Sequence, residues 1–122
     1  MIQNESDGVI VLEPTGDLHE GNECDQMEDA LVRLAERGAQ VVIDVTHVQH
    51  ITAHCLGILA HTQRVASQHG GCVVLCGATR VQRWLLRKTR LAEVVSIHDD
   101  VASARRYLAA LRPATVPDDP AR

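Results

Sequence analysis

The residues of this chain best suited to chemistry are its seven histidines and four cysteines. His47, His50 and His54 crowd one short stretch, and Cys55 follows directly. Imidazole and thiolate are the usual zinc ligands, so a metal site on these residues is one reading. His50 precedes the helix expected from Thr52, however, so His50 and His54 do not share a helical face. Neither C-x-x-C nor H-E-x-x-H accompanies them. Histidines that cap or line a solvated loop are the other reading. Cys24, Cys55, Cys72 and Cys76 would allow two disulfides, but nothing marks the chain as secreted, and buried thiols acting as small apolar groups suit the pattern better. Cys72 and Cys76 fall on one side of an expected strand, where packing is the natural role.

Searches for other chemistry return little. There is no G-x-x-x-x-G-K-[ST] loop, no G-x-G-x-x-G after a strand and no G-x-S-x-G elbow. None of Ser6, Ser67, Ser96 and Ser103 stands at a strand-to-helix turn. Without a nucleophile–base pair or a cofactor motif, an enzyme is disfavoured and no cofactor is expected.

The elements that would position these residues follow from composition and periodicity. At 122 residues the chain is sized for one domain. Its 45% apolar content is ordinary, but aromatics make up 2%, Trp84 and Tyr107 alone, so the core must be aliphatic. A net charge of −4 and the lack of aromatic platforms disfavour nucleic acid as a partner. No apolar run approaches a membrane span, and the first residues carry no signal-peptide pattern, so a cytoplasmic protein is expected.

Ser6-Asp7-Gly8 reads as a turn before the strand Val9–Leu12, with Met1–Gln3 as a candidate edge strand. A first helix is expected from Asn22 to the stop at Gly38, with Cys24, Met27, Leu31 and Leu34 inward. Val41–Val45 is a continuous apolar run suited to a strand buried on both faces. A second helix runs from about Thr52 to Gln68, with Cys55, Ile58, Leu59, Thr62, Val65 and Ala66 inward and His54, Gly57, His61, Arg64 and Gln68 outward. Cys72–Cys76 is the next strand, Thr79–Thr89 a third helix and Val94–Ile97 a short last strand. A fourth helix, capped by Asp99 or Asp100, turns Val101, Ala104, Leu108 and Leu111 inward. Arg80, Arg83, Arg87 and Arg90, with Lys88, make a basic stripe that is either a solvated face or a contact for an acidic partner. Residues 1–112 form the domain, and the proline-rich tail 113–122 is expected to be disordered. The order β(β)αβαβαβα means an α/β fold with a mostly parallel sheet and right-handed crossovers.

Several segments together resemble the STAS domain of anti-sigma factor antagonists. Gly16-Asp17-Leu18-His19 resembles that family's G-E-L-D. Val41 to Val48 resembles V-V-L-D-L-S-x-V. Ile51-Thr52-Ala53-His54-Cys55-Leu56-Gly57-Ile58-Leu59 resembles I-D-S-S-G-L-G-V-L, and Gly71 to Gly77 follows G-x-x-L-x-L-x-G. Leu91 to Val95 and the acidic turn before helix four complete a match over residues 2–111. The resemblance implies a STAS-like sheet of about 4–5 strands with about 4 helices. It also implies a bacterial regulatory module in signal transduction and transcription. In the family, a partner anti-sigma kinase phosphorylates the second hydroxyl of D-S-S-G at the opening of helix two, and the unphosphorylated form binds that kinase. A phosphate there adds about −1.5 to −2 charge to a docking surface.

Here the phospho-acceptor aligns with His54, the preceding Ser with Ala53, the Asp with Thr52, the Gly with Cys55 and the last residue of G-E-L-D with His19. Phosphorylation of a Ser or Thr at the usual position is therefore excluded. Thr52 is the nearby hydroxyl, but it is also the expected N-cap. The resemblance implies a protein partner, a GHKL-type anti-sigma kinase or a larger STAS-containing assembly, and leaves a homodimer open. The expected docking face is made by Asp17, His19, Asp44, the loop from His47 to His50, Thr52, His54, Cys55, Gly57 and His61. The alternative is a sensor of metal, small ligand or proton on His19, His50 and His54.

Overall fold

Apolar runs of strand length alternate with amphipathic segments through most of the chain, and the computed structural model turns that alternation into a single sheet flanked by helices. It describes residues 2–14 and 22–111, with backbone alone at residues 22 and 23. The elements are β1 (Ile2–Ser6), β2 (Val9–Glu13), α1 (Asn22–Glu36), β3 (Gln40–Asp44), α2 (Ala53–Gln68), β4 (Cys72–Cys76), α3 (Arg80–Lys88), β5 (Ile97–His98) and α4 (Val101–Leu111). The sheet order is β1-β2-β3-β4-β5. β1 is antiparallel to β2, and every later pairing is parallel.

The edge strand is longer than the expected Met1–Gln3, because its pairing with β2 runs from Ile2 opposite Glu13 to Ser6 opposite Val9. Asp7 and Gly8 close this hairpin with φ of 55° and 78°. Positive φ at both central positions is the turn whose twist matches that of the strands.

The central strands bury both faces. Ile10, Leu12, Val41, Ile43, Val73 and Leu75 meet residues of α1, α2 and α3. Val9, Val11, Val42, Val74 and Cys76 face the other way, onto Ala104 and Leu108 of α4. Period-two alternation in a parallel sheet covered on both sides explains why these strands read as unbroken apolar runs. The fully buried set is aliphatic throughout apart from Met27 and the thiols. All four cysteines are free; Cys24, Cys55 and Cys76 are buried and Cys72 is half-buried.

Two expectations near the C-terminus need correction. The strand expected at Val94–Ile97 begins only at Ile97. Arg90 turns left-handed, with φ of 66°, and Leu91–Glu93 form a 3-10 turn. The amides of Val94 and Val95 both donate to the Leu91 carbonyl, so they are spent before a ladder can use them. Val95 instead serves as a core plug, 2% exposed. Leu111, expected inward on α4, is exposed, and the buried face of the helix is made by Ala104 and Leu108. The proline-rich tail lies outside the described residues.

Ile43, fully buried at the centre of the sheet, and Val81, exposed on α3, give a direct check of this core. Ile43→Ala should cost about 2–5 kcal/mol in chemical denaturation, whereas Val81→Ala should change stability by about 0.5 kcal/mol or less.

Candidate functional site

The residues singled out in the sequence gather at the C-terminal end of β3 and the opening of α2. Asp44, the last residue of β3, turns its carboxylate back onto the following loop. Its Oδ1 accepts from the Thr46 amide at 3.0 Å and from the Thr46 hydroxyl. Gly77, leaving β4 with φ of 80°, presses on the same knot. A Cβ there would lie 2.3 Å from Thr46 Oγ1 and 2.9 Å from Asp44 Oδ1. Only glycine combines that backbone conformation with that approach. Asp44 is thus half-buried, with Oδ1 occupied by its own loop.

The far side of the loop is held from α3. Gln82, 6% exposed, donates from Nε2 to the carbonyls of Val48 at 2.8 Å and Gln49 at 3.3 Å. Its Oε1 accepts from the Thr79 amide at 2.9 Å, while the Thr79 hydroxyl accepts from the Gln82 amide at 3.1 Å. This reciprocal cap satisfies the start of α3, and the spare Nε2 protons reach across to the loop. Sequence reading placed Gly77 at the end of a motif but missed its contact with Asp44 and Thr46, and it missed Gln82 altogether. The T-x-x-Q spacing of Thr79 and Gln82 could have marked the cap, but not the reach to Val48.

The loop delivers the chain to Thr52, which has an extended backbone (φ −84°, ψ 163°). Its hydroxyl accepts from the Cys55 amide at 3.3 Å, so Thr52 is the N-cap of α2. From there the helix sorts its residues. Leu56, Ile58, Leu59, Ala60, Thr62 and Ala66 turn inward. Ala53, His54, Gly57, His61 and Arg64 turn to solvent. His54 therefore projects outward from the first turn, with Gly57 and His61 following on the same face. The Gly57 surroundings are open: a Cβ placed there would meet nothing within 4 Å.

Cys55 does not reach this surface, correcting the expectation that it joins a docking face. It is fully buried, and its thiol contacts that of Cys24 on α1. Burial, with Cys55 alongside, pushes the Cys24 thiol up to about 12. Burial, reinforced by the carboxylates of Asp44, Asp100 and Glu13, does the same to Cys76, also to about 12. Thiols held this far from ionisation are neither nucleophiles nor ready metal ligands at neutral pH.

The histidines are spread out. His47 Nε2 stands 3.5 Å from Glu13 Oε2, at the end of the neighbouring strand β2. His50 is exposed just before Thr52. Asp17 and His19 lie outside the described residues. Among the described residues, no group of three or more His, Cys, Asp or Glu side chains could hold a metal ion.

A second polar cluster joins β5 to α3 and α4. Ser96 Oγ and His98 Nε2 are 2.9 Å apart, and the His98 ring lies 4.7 Å from that of Tyr107. Arg83 donates to Asp99 Oδ1 at 2.7 Å and to the His98 carbonyl at 3.4 Å.

With this geometry in hand, the family model for the STAS domain matches residues 2–104, and the chain belongs to that family. Similar solved structures include a Thermotoga maritima protein named as an anti-sigma factor antagonist, 19% identical, with TM-score 0.79, covering 88% of this chain and 93% of that one. Another is an anti-sigma factor antagonist from Mycobacterium paratuberculosis, 19% identical, with TM-score 0.76 and coverage of 88% and 92%. A third is the Bacillus cell fate determinant SpoIIAA in its phosphorylated form, 12% identical, with TM-score 0.67 and coverage of 87% and 97%. At these identities the likeness shows the fold. Comparison with curated protein sequences finds no match. No helix among the described residues is long and apolar enough to cross a membrane.

Burial holds the His98 imidazole below its ordinary value of 6.5, with Asp99 opposing and Arg83 assisting. A base whose folded value is depressed is bound less tightly by protons in the native state. Its contribution to stability is complete above 6.5 and is lost as pH falls from 6.5 through the folded value. Lowering the pH from about 7.5 to about 5.5 should therefore depress the melting temperature of the wild type more than that of His98→Gln, as thermal denaturation would show.

Proposed function

We propose that this chain is a non-enzymatic interaction module of the anti-sigma factor antagonist type, acting in the bacterial cytoplasm. Its partner is a GHKL-type anti-sigma kinase or a STAS-containing signalling assembly. The partner grips the outward face of the first turns of α2, formed by His54, Gly57 and His61, with the loop from His47 to His50 beside it.

One observation carries this reading. A glycine in an exposed helix interior costs about 1 kcal/mol relative to alanine. Gly57 has neither a positive φ nor a neighbour within 4 Å to require it. The missing side chain relieves nothing inside the molecule, so the need lies outside: a partner's surface approaches the backbone of α2 at this point. His54 and His61 flank the gap and supply polar contacts.

Docking in this reading runs without the phosphate switch of the family. The position of the usual acceptor is His54, preceded by Ala53. The hydroxyl of Thr52 is turned to the Cys55 amide as the helix cap. The alternative of a metal or ligand sensor on His19, His50 and His54 gains no support from the described residues, which hold no ligand group of three or more; His19 lies outside them. Zinc should accordingly leave the melting temperature unchanged, whereas a rise at a few times the metal concentration would restore that alternative.

Two experiments test the proposal. Gly57→Ala should raise stability by about 0.5–1 kcal/mol while weakening binding to the kinase, and Gly57→Arg should abolish binding with the fold intact. Calorimetric titration with the purified kinase measures both, and full binding by Gly57→Arg would rule out the proposed face. Incubation with the kinase and ATP should leave the intact mass unchanged, and a phosphate on Thr52 would show that the switch survives.

A further inference from the structure

The fold sorts the basic residues of α3 into two groups. Arg83 turns inward, held by Asp99 at 2.7 Å and by the carbonyls of Ala78 and His98 at 3.4 Å. Arg90, beyond the helix end, meets Glu93 at 3.4 Å. Arg80, Arg87 and Lys88 remain, and no carboxylate among the described residues pairs with any of them. At about 100° per residue these three fall on one arc of the helix with Val81 and Trp84.

Val81 is 73% exposed and Trp84 55%, the most exposed large apolar side chains described. Lys88 Nζ lies 5.7 Å from the centre of the Trp84 ring. The inward face of α3 is already covered, with Gln82 and Leu86 buried. A helix that only needs solvation has use for the charges but none for an outward tryptophan and valine. Aromatic and arginine side chains together are the composition of binding hot spots.

Three occupants can be weighed. Nucleic acid would need more positive charge than a chain of net −4 offers, and more than one stacking ring. A membrane surface would need a broader apolar stripe than two side chains on a nine-residue helix. An acidic protein surface fits. On an acidic chain, three unpaired cations make a face where a negatively charged partner is drawn in rather than turned away.

We propose that the outer face of α3 is a docking surface for an acidic protein segment, whose carboxylates meet Arg80, Arg87 and Lys88 around an apolar contact on Trp84 and Val81. The inference rests on the reading of α2 as the docking face and names the chemistry of the same partner. Gln82 ties the first turn of α3 to the loop that leads into α2, so the two surfaces keep a set relation to one another.

The test is a calorimetric titration of the full chain against a panel of purified GHKL-type anti-sigma kinases from the same organism, at low and high salt. Three variants are compared: Arg80→Glu/Arg87→Glu/Lys88→Glu, Trp84→Ala and Gly57→Arg. Should the triple variant fold poorly, Arg87→Glu alone replaces it. We expect the charge reversal and Trp84→Ala each to weaken binding by about tenfold or more, and the reversal to flatten its salt dependence. Unchanged affinity in both α3 variants, with binding lost in Gly57→Arg, would overturn this inference and leave the α2 reading standing. Loss in the α3 variants with Gly57→Arg silent would overturn the α2 reading, and with it the two-surface docking inferred here, and leave α3 as a contact in its own right. Binding by no kinase in the panel would remove the kinase as the partner of α2 and this inference with it. Salt-sensitive binding to phosphatidylserine vesicles that the charge reversal abolishes would overturn the assignment of a protein occupant.

Discussion

The direction in which α2 leaves the sheet depends on one closure, the Asp44 carboxylate folded onto Thr46 beneath Gly77. A βαβ crossover must reverse the chain within a few residues, and the backbone donors exposed in that reversal need partners. Asp44 supplies one acceptor for two of the Thr46 donors. Gly77 lets β4 approach where any side chain would collide. Gln82 then holds the loop carbonyls from the other side. With the loop pinned at both ends, Thr52 arrives as a cap, and the helical period decides that His54 faces water while Cys55 does not.

Much of this was legible in the sequence, for identifiable reasons. Apolar runs such as Val41–Val45 and Cys72–Cys76 announce buried parallel strands, because both faces must be covered. Thr52 marks a helix start because its side chain can accept from an unpaired amide. The order of motifs, more than any one of them, pointed to the STAS fold. What could not be read depended on contacts between distant segments. Val94 and Val95 have strand composition, but their amides are consumed by a local turn after Arg90. Cys55 aligns with a residue near a docking surface, yet it is buried against Cys24, and the hold of Asp44 on Thr46 is equally a matter of tertiary contact. The role of Gln82 appears only when α3 lies against the loop 33 residues upstream of it.

The candidate face is unusual for what has replaced hydroxyl and carboxylate. Where the family resemblance expects a phosphate acceptor, an imidazole stands in the open on a helix whose cap hydroxyl is already engaged. Neutral or protonated, that ring itself carries none of the negative charge by which a phosphate would repel a partner. The thiols of Cys24 and Cys76 add no alternative control, since burial holds them protonated. In the docking proposed for α2, the gap at Gly57 assigns more of the recognition to shape than to charge. On α3 the balance is the opposite, with charge around a small apolar centre.

The distribution of aromatic residues has a practical consequence. The interior of this protein contains no aromatic ring, and its single indole stands in solvent on α3. Intrinsic emission consequently reports the outside of the molecule. Denaturation changes the surroundings of Trp84, already 55% exposed, less than it would those of a buried indole, whereas a molecule settling on α3 would take the ring out of water. The same side chain that makes folding hard to follow by light makes an encounter at this surface easy to see.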